Sequence, residues 1–185
     1  LKSDTLSSEG KEVAVVVSST FKNLPPAKQA RIQAALLEEF SQYPLAKAKV
    51  SRIVANAKIA RGAFYKYFGD LPTAYAYLRQ QALASIHTSL LPLPSQYDPE
   101  HFYQTTVAFF QQTKQSKYYQ FIRLSLLESQ NHDFTTRPQL ELSAADWAAM
   151  ELCHASIRLA LTDPADEPVV MQCLQISLQL LKKGD

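Results

Sequence analysis

Apolar residues recur at helical spacing through most of the chain, and proline and aspartate mark where each run stops. Pro25 or Pro26 opens the first clear helix, because proline fits the first helical turn. Ile32, Ala35, Leu36 and Phe40 share one face of it, with Lys28, Arg31, Gln33 and Glu38 facing away. Pro44 ends it. A short helix over about 48–57 follows, with Val50, Ile53, Val54 and Ala57 on one face. About three residues later a third, over 61–67, begins. Two short helices joined by so tight a turn read as a helix-turn-helix.

A fourth helix is expected from Pro72 to about Leu91, with Leu71, Ala74, Tyr75, Leu78, Ala82, Ile86 and Leu90 keeping its period. "LPLPSQYDP" breaks the pattern. Asp98, Pro99 and Glu100 then supply a cap, a first-turn proline and an acid at the positive end of the helix dipole. That helix runs to about Gln115. The next, about 117–131, is apolar nearly all round and so central. A loop (131–138), a long helix (about 140–162), a turn (162–168) and a last helix to about 183 complete the chain.

The last helix carries two apolar stripes. Val170, Leu174, Ser177, Leu178 and Leu181 form one, and Val169, Cys173, Ile176 and Leu180 the other. A terminal helix with two apolar faces can bury one in its own domain and one against a second copy. We therefore expect a homodimer through the last two helices.

Composition agrees with an all-α fold. The chain has 185 residues, 46% hydrophobic, and only four glycines. Strands and their tight turns need more glycine than that. Net charge is only +2, but it is unevenly placed. Residues 22–70 hold nine Lys/Arg against three Asp/Glu, and residues 71–185 hold eight against eleven. A basic module joined to a mildly acidic one predicts a negatively charged partner for the first. Three parts follow: a Ser-rich loose tail (1–20), a helix-turn-helix domain (21–70) and a C-terminal helical bundle (71–185).

No apolar run reaches the length of a membrane span, and "VAVVV" is too short for a signal sequence. Cys153 and Cys173 lack metal or disulfide spacing and read as two buried core thiols. A cytoplasmic protein without membrane contact is the expectation. No phosphate loop, zinc-protease motif or assembled triad points to an enzyme, a cofactor or a metal. The Glu128–His132 and Glu151–His154 pairs have ligand spacing but read as surface pairs.

The third helix, "RGAFYKYF", divides by face. Phe64 and Phe68 pack inward with Ile53 and Ile59. Arg61, Ala63, Lys66 and Tyr67 are expected outward, and Gly62 allows close backbone approach. Tyr65 and Tyr67 can donate to phosphate oxygens. Lys47 and Lys49 flank the start of the second helix, whose amides also favour phosphate. This fits a helix in the DNA major groove, phosphate contacts on either side.

The stretch from "AKQARIQAALLEEF" through "RGAFYKYFGDL", preceded by "TFKNLP", resembles the DNA-binding domain of TetR-family transcriptional regulators over roughly residues 20–78. The resemblance implies an all-helical homodimeric repressor that binds an operator in double-stranded DNA and is released by a small-molecule effector. It places DNA contacts at Arg61, Gly62, Ala63, Tyr65, Lys66 and Tyr67. Lys58 stands where the family has Gly, and Ala60 where it has a capping Ser. Leu71-Pro72 stands where it has a phosphate-touching Lys. The alternative is a helical ligand-binding or interaction protein with a vestigial head.

In the bundle, aromatic residues and polar groups within apolar helices mark candidate ligand contacts: Phe109, Tyr118, Arg123, Glu128, Trp147 and His154. Arg158 is a further buried polar candidate.

Overall fold

The computed structural model describes residues 17–86, 96–128 and 143–182, and among these every regular element is helical. The helices are α1 (Ser19–Lys22), α2 (Pro26–Gln42), α3 (Val50–Ala57), α4 (Arg61–Phe68), α5 (Leu71–Ile86), α6 (Pro99–Gln115), α7 (Tyr119–Glu128), α8 (Ala144–Thr162) and α9 (Glu167–Lys182). A single 3-10 turn, Leu45–Lys47, links α2 to α3. Residues 1–16, the expected breaks at 91–95 and 131–138, Leu90, His132, the expected start of the long helix at 140 and the side chain of Glu128 lie outside the described residues.

Local chemistry sets most boundaries. Pro26 occupies the first turn of α2. Asp98 accepts from Glu100 N at 3.1 Å ahead of Pro99 in α6. At α8, Ser143 Oγ accepts from Asp146 N at 3.0 Å and donates to the Asp146 carboxylate at 2.6 Å, a reciprocal N-cap. α5 begins at Leu71, one residue before the expected Pro72, because Asp70 caps it: its carboxylate accepts from Thr73 N at 2.7 Å. Hydrogen bonding to the Thr73 side chain, and then to its N–H, holds the Asp70 carboxyl below its ordinary pKa.

The start of the chain departs from expectation. Val17 is buried and a helix begins at Ser19, where a loose tail was expected through residue 20; Phe21, in the expected head, is 2% exposed. Ser18 caps α1, and its N–H donates to Tyr67 O at 3.0 Å. Phe21 meets Tyr67, Phe68 and Tyr77 with ring centroids 5.0–5.8 Å apart. α1 thus ties to α4 and α5 through aromatic packing, which short periodicity arguments miss in a four-residue helix.

One continuous core runs from head to bundle. At the joint, Phe40 of α2 packs edge-on against Tyr75 of α5 at 5.0 Å, and both meet Phe121 of α7. α7 touches α2, α6 and α8, as its apolar surface predicts. α6, α8 and α9 pack together, and Tyr97 Oη donates to Leu178 O at 2.7 Å to hold the start of α6 on α9. Burial pushes the Tyr97 phenol up to about 12. No described helix is long and apolar enough to cross a membrane.

The two stripes of α9 separate as expected. Leu174 and Leu178 are buried, while Val169, Ile176 and Leu180 are each more than half exposed. Leu159 of α8 is likewise exposed. Cys153 is buried, but Cys173 lies exposed on the outer stripe, so only one of the two thiols is a core residue.

Candidate nucleic-acid interface and ligand cavity

Glu39 organises the turn that carries Lys47 and Lys49. Its side chain is buried on α2. One oxygen accepts from Lys49 N at 2.7 Å, and Arg52 Nε donates to the other at 2.8 Å. Arg52 also donates to Lys47 O at 3.0 Å and lies over the Tyr43 ring at 3.8 Å. A buried carboxylate needs its lone pairs filled, and here the filling groups come from the start of α3. The bond to Glu39 raises the Arg52 pKa. Lys49 N-caps α3 with no side-chain cap bond, and Glu39, from another helix, accepts from the backbone N–H of that cap residue. Lys47 and Lys49 themselves are exposed. Periodicity assigned Glu39 no role. Its apolar neighbours Ala35, Leu36 and Phe40 were the signal that it faces inward.

Three residues, Lys58, Ile59 and Ala60, join α3 to α4. Lys58 adopts a left-handed conformation at φ 51, ψ 52. It is the sole described non-glycine at positive φ. Arg31 Nε donates to Ala57 O at 2.8 Å and so covers the end of α3. Ala60 N-caps α4 with no side-chain acceptor. Both positions therefore sit below the stability the backbone allows. Lys58→Gly should gain about 1 kcal/mol and Ala60→Ser about 0.5–2 kcal/mol. In a thermal melt each should raise Tm by a few degrees, and an unchanged melt for both would show that the turn is not strained.

On α4, Phe64 and Phe68 are buried. Arg61, Gly62, Tyr65 and Lys66 are exposed, and Ala63 is half-buried. Nothing lies within 4 Å of where a Gly62 Cβ would stand, so this stretch of backbone is open to approach. Arg61 Nη2 donates to Tyr65 Oη at 3.2 Å, across one turn of the helix. Tyr67 departs from expectation. It is 5% exposed, its ring against Phe21 and Phe68, because α1 covers the side of α4 that was expected to face outward.

Residues 32–70 match the family model of bacterial regulatory proteins, tetR family. The head is that of the tetR family. The chain's fold is similar to that of a TetR family transcriptional regulator from Chloroflexus aurantiacus J-10-fl, at TM-score 0.57 and 20% identity over 91% of this chain and 98% of that one. A TetR transcriptional regulator from Rhodococcus sp. RHA1 aligns at TM-score 0.43 and 14% identity, over 84% of this chain and 96% of that one. No curated protein matches the chain. The TetR family model covers the helix-turn-helix built above, which makes this chain a DNA-binding regulator.

Behind this tetR-type head, the bundle holds a cavity of about 430 Å³ among α5, α6, α7 and α8. Phe109 and His154, both expected to meet a ligand, line it. Burial holds the His154 pKa below its ordinary value, Glu151 opposing that shift and Arg158 adding to it. The other described candidates, Tyr118, Arg123 and Trp147, do not line the cavity. Tyr118 is buried outside its wall. Arg123 donates to Leu161 O at 3.0 Å and Thr162 O at 3.2 Å, covering the end of α8. Trp147 is partly exposed near the start of α8. Arg158, expected as a buried polar group, does line it, as do Arg79, His101 and Thr105. Helical spacing shows which residues share a face, but a cavity is bounded by faces of helices distant in sequence, so it cannot be read from one helix.

Proposed function

We propose that the protein is a homodimeric repressor, bound to an operator through α3 and α4 and released when a small molecule fills the bundle cavity. The observation that carries this is the exposed face of α4, Arg61, Gly62, Tyr65 and Lys66, beside Lys47 and Lys49. Such a helix fits the major groove, with the two lysines on flanking phosphates. Ala63, half-buried, completes the approaching surface. Tyr67 supports α4 from within. The division we adopt keeps residues 21–70 as head and 71–185 as bundle, with Val17–Thr20 joining the head. Acting on DNA places the protein in the cytoplasm, and the reading assigns it no reaction.

The second head comes from a second copy joined along α8 and α9, whose outer apolar stripe offers the contact. Release follows from the joint between the domains. α5 begins two residues after α4 and lines the cavity further along, and Phe121 both lines the cavity and packs on Phe40 of the head. A ligand that favours one arrangement of these groups shifts the spacing of the heads by its differential affinity.

A gel-shift titration against the DNA upstream of the chain's own gene, repeated over a salt series, tests the reading. Binding should weaken steeply with salt. Arg61→Ala should weaken it by roughly 5- to 150-fold, the worth of a base contact of about 1–3 kcal/mol. Lys66→Ala should lower the salt slope by about 1 if it meets a phosphate. A flat salt response with both variants behaving as wild type would favour the vestigial head instead.

A further inference from the structure

Arg61 opens α4, and its guanidinium is held by a side chain one turn on. Nη2 donates to Tyr65 Oη at 3.2 Å, and Cζ stands 5.8 Å from the centre of the Tyr65 ring. Helical side chains lean toward the N-terminus, so Tyr65 leans back over the turn that Arg61 begins. Tyr65 is itself braced: its ring meets the fully buried ring of Phe64 edge-on, with centroids 5.5 Å apart. Core packing thus fixes Phe64, Phe64 steadies Tyr65, and Tyr65 holds Arg61. Both outer side chains stay open to a partner, Tyr65 at 42% exposure. A free arginine loses much side-chain entropy when it binds, and one already held loses less.

The bond to Tyr65 leaves the useful donors over. A guanidinium has a parallel pair of N–H groups on each of two edges, and Nη2 contributes one hydrogen to each. Whichever hydrogen Tyr65 takes, the other edge keeps its pair. Tyr65 Oη accepts that bond and keeps its own proton to donate. We propose that Arg61 reads a guanine in each half of the operator through O6 and N7, and that Tyr65 positions it while donating its own hydroxyl proton to a neighbouring phosphate. This rests on the DNA-binding reading above and names the base that reading leaves open. Guanine presents two acceptors side by side in the major groove, whereas adenine would set its N6 donor against a group that has only donors. A phosphate also accepts a parallel pair. However, the N-terminal residues of a recognition helix meet base edges. Gly62, with nothing within 4 Å of where its Cβ would stand, lets that end of α4 enter the groove closely.

Selection from random-sequence duplex DNA with the full-length protein tests this. Anisotropy titrations then compare the enriched duplex with copies in which the guanine is replaced by each other base. A guanine should stand at the same place in both halves and be preferred by about 5- to 150-fold, the worth of one bidentate pair. Arg61→Ala should abolish the preference. Tyr65→Phe keeps the ring and removes Oη, and should cut the preference ~2- to 10-fold, as one lost hydrogen bond implies. Lys66→Ala removes a charge from the same exposed face and should weaken every duplex alike, with the preference kept. If Tyr65→Phe lowers affinity for all duplexes together and leaves the ratio unchanged, its positioning role is overturned. Enriched DNA without a guanine that depends on Arg61, or loss of the same preference in Lys66→Ala, overturns the base assignment while DNA binding stands. No enrichment with gel-shift binding intact also overturns it, since the contacts are then to phosphate alone. No enrichment with a flat salt response overturns the DNA-binding reading itself.

Discussion

Replacing Ile176 and Leu180 together with glutamate should give a folded monomer that no longer holds operator DNA. Both side chains are more than half exposed on the outer stripe of α9, whereas the inner stripe, Leu174 and Leu178, is buried in the bundle. The change therefore removes nothing from the core of one chain. In a dimer joined along this face, each burial is worth about 1.5–3 kcal/mol. Each glutamate then adds a charge with no partner in an apolar contact, and both effects count twice. Two heads joined in one dimer bind a palindromic site with the second contact made at high effective concentration. Separating them should cost on the order of 10²–10⁴ in operator affinity without touching a DNA-facing residue. Light scattering reads the mass and the gel shift reads the affinity. A variant that stays dimeric would place the interface elsewhere.

Glu39→Ala should lower Tm by roughly 5–10 °C, at a few degrees per kcal/mol lost in a chain of this size. Glu39 touches no exposed surface, yet it accepts from Lys49 N and from Arg52, and Arg52 in turn holds Lys47 O. Removing the carboxylate leaves the start of α3 without its acceptor and leaves Arg52 with only Tyr43 and one carbonyl. DNA affinity should fall as well, because the turn that presents Lys47 and Lys49 loses its anchor. Glu39→Gln keeps an acceptor and should lie between the two. A melt identical to wild type for Glu39→Ala would show that the network contributes nothing to the head.

The candidate site was partly legible. The three-residue turn, the inward Phe64 and Phe68 and the exposed Arg61, Gly62, Tyr65 and Lys66 all follow from helical period, since α3 and α4 are short and their faces sharply divided. The strained Lys58 and the uncapped Ala60 were visible because the resemblance showed which residues usually stand there. Tyr67 was misplaced because its exposure depends on α1, a four-residue helix too short to register as a pattern. Arg123 looked like a ligand group because a cation in an apolar helix needs a partner, and the partner proved to be the end of α8.

By itself, the amino-acid sequence determined the helical class, the tight turn, the basic head on an acidic bundle and the two stripes of α9. These are properties of neighbours along the chain, and period, caps and charge counts report them directly. The tertiary structure alone decided that Glu39 braces the start of α3, that Val17 and Phe21 belong to the core, and that Arg79, His101, Thr105 and Arg158 share one cavity with Phe109 and His154. Each of those depends on which face of one helix meets which face of another, a choice made by packing the whole core at once and carried by no single stretch of sequence.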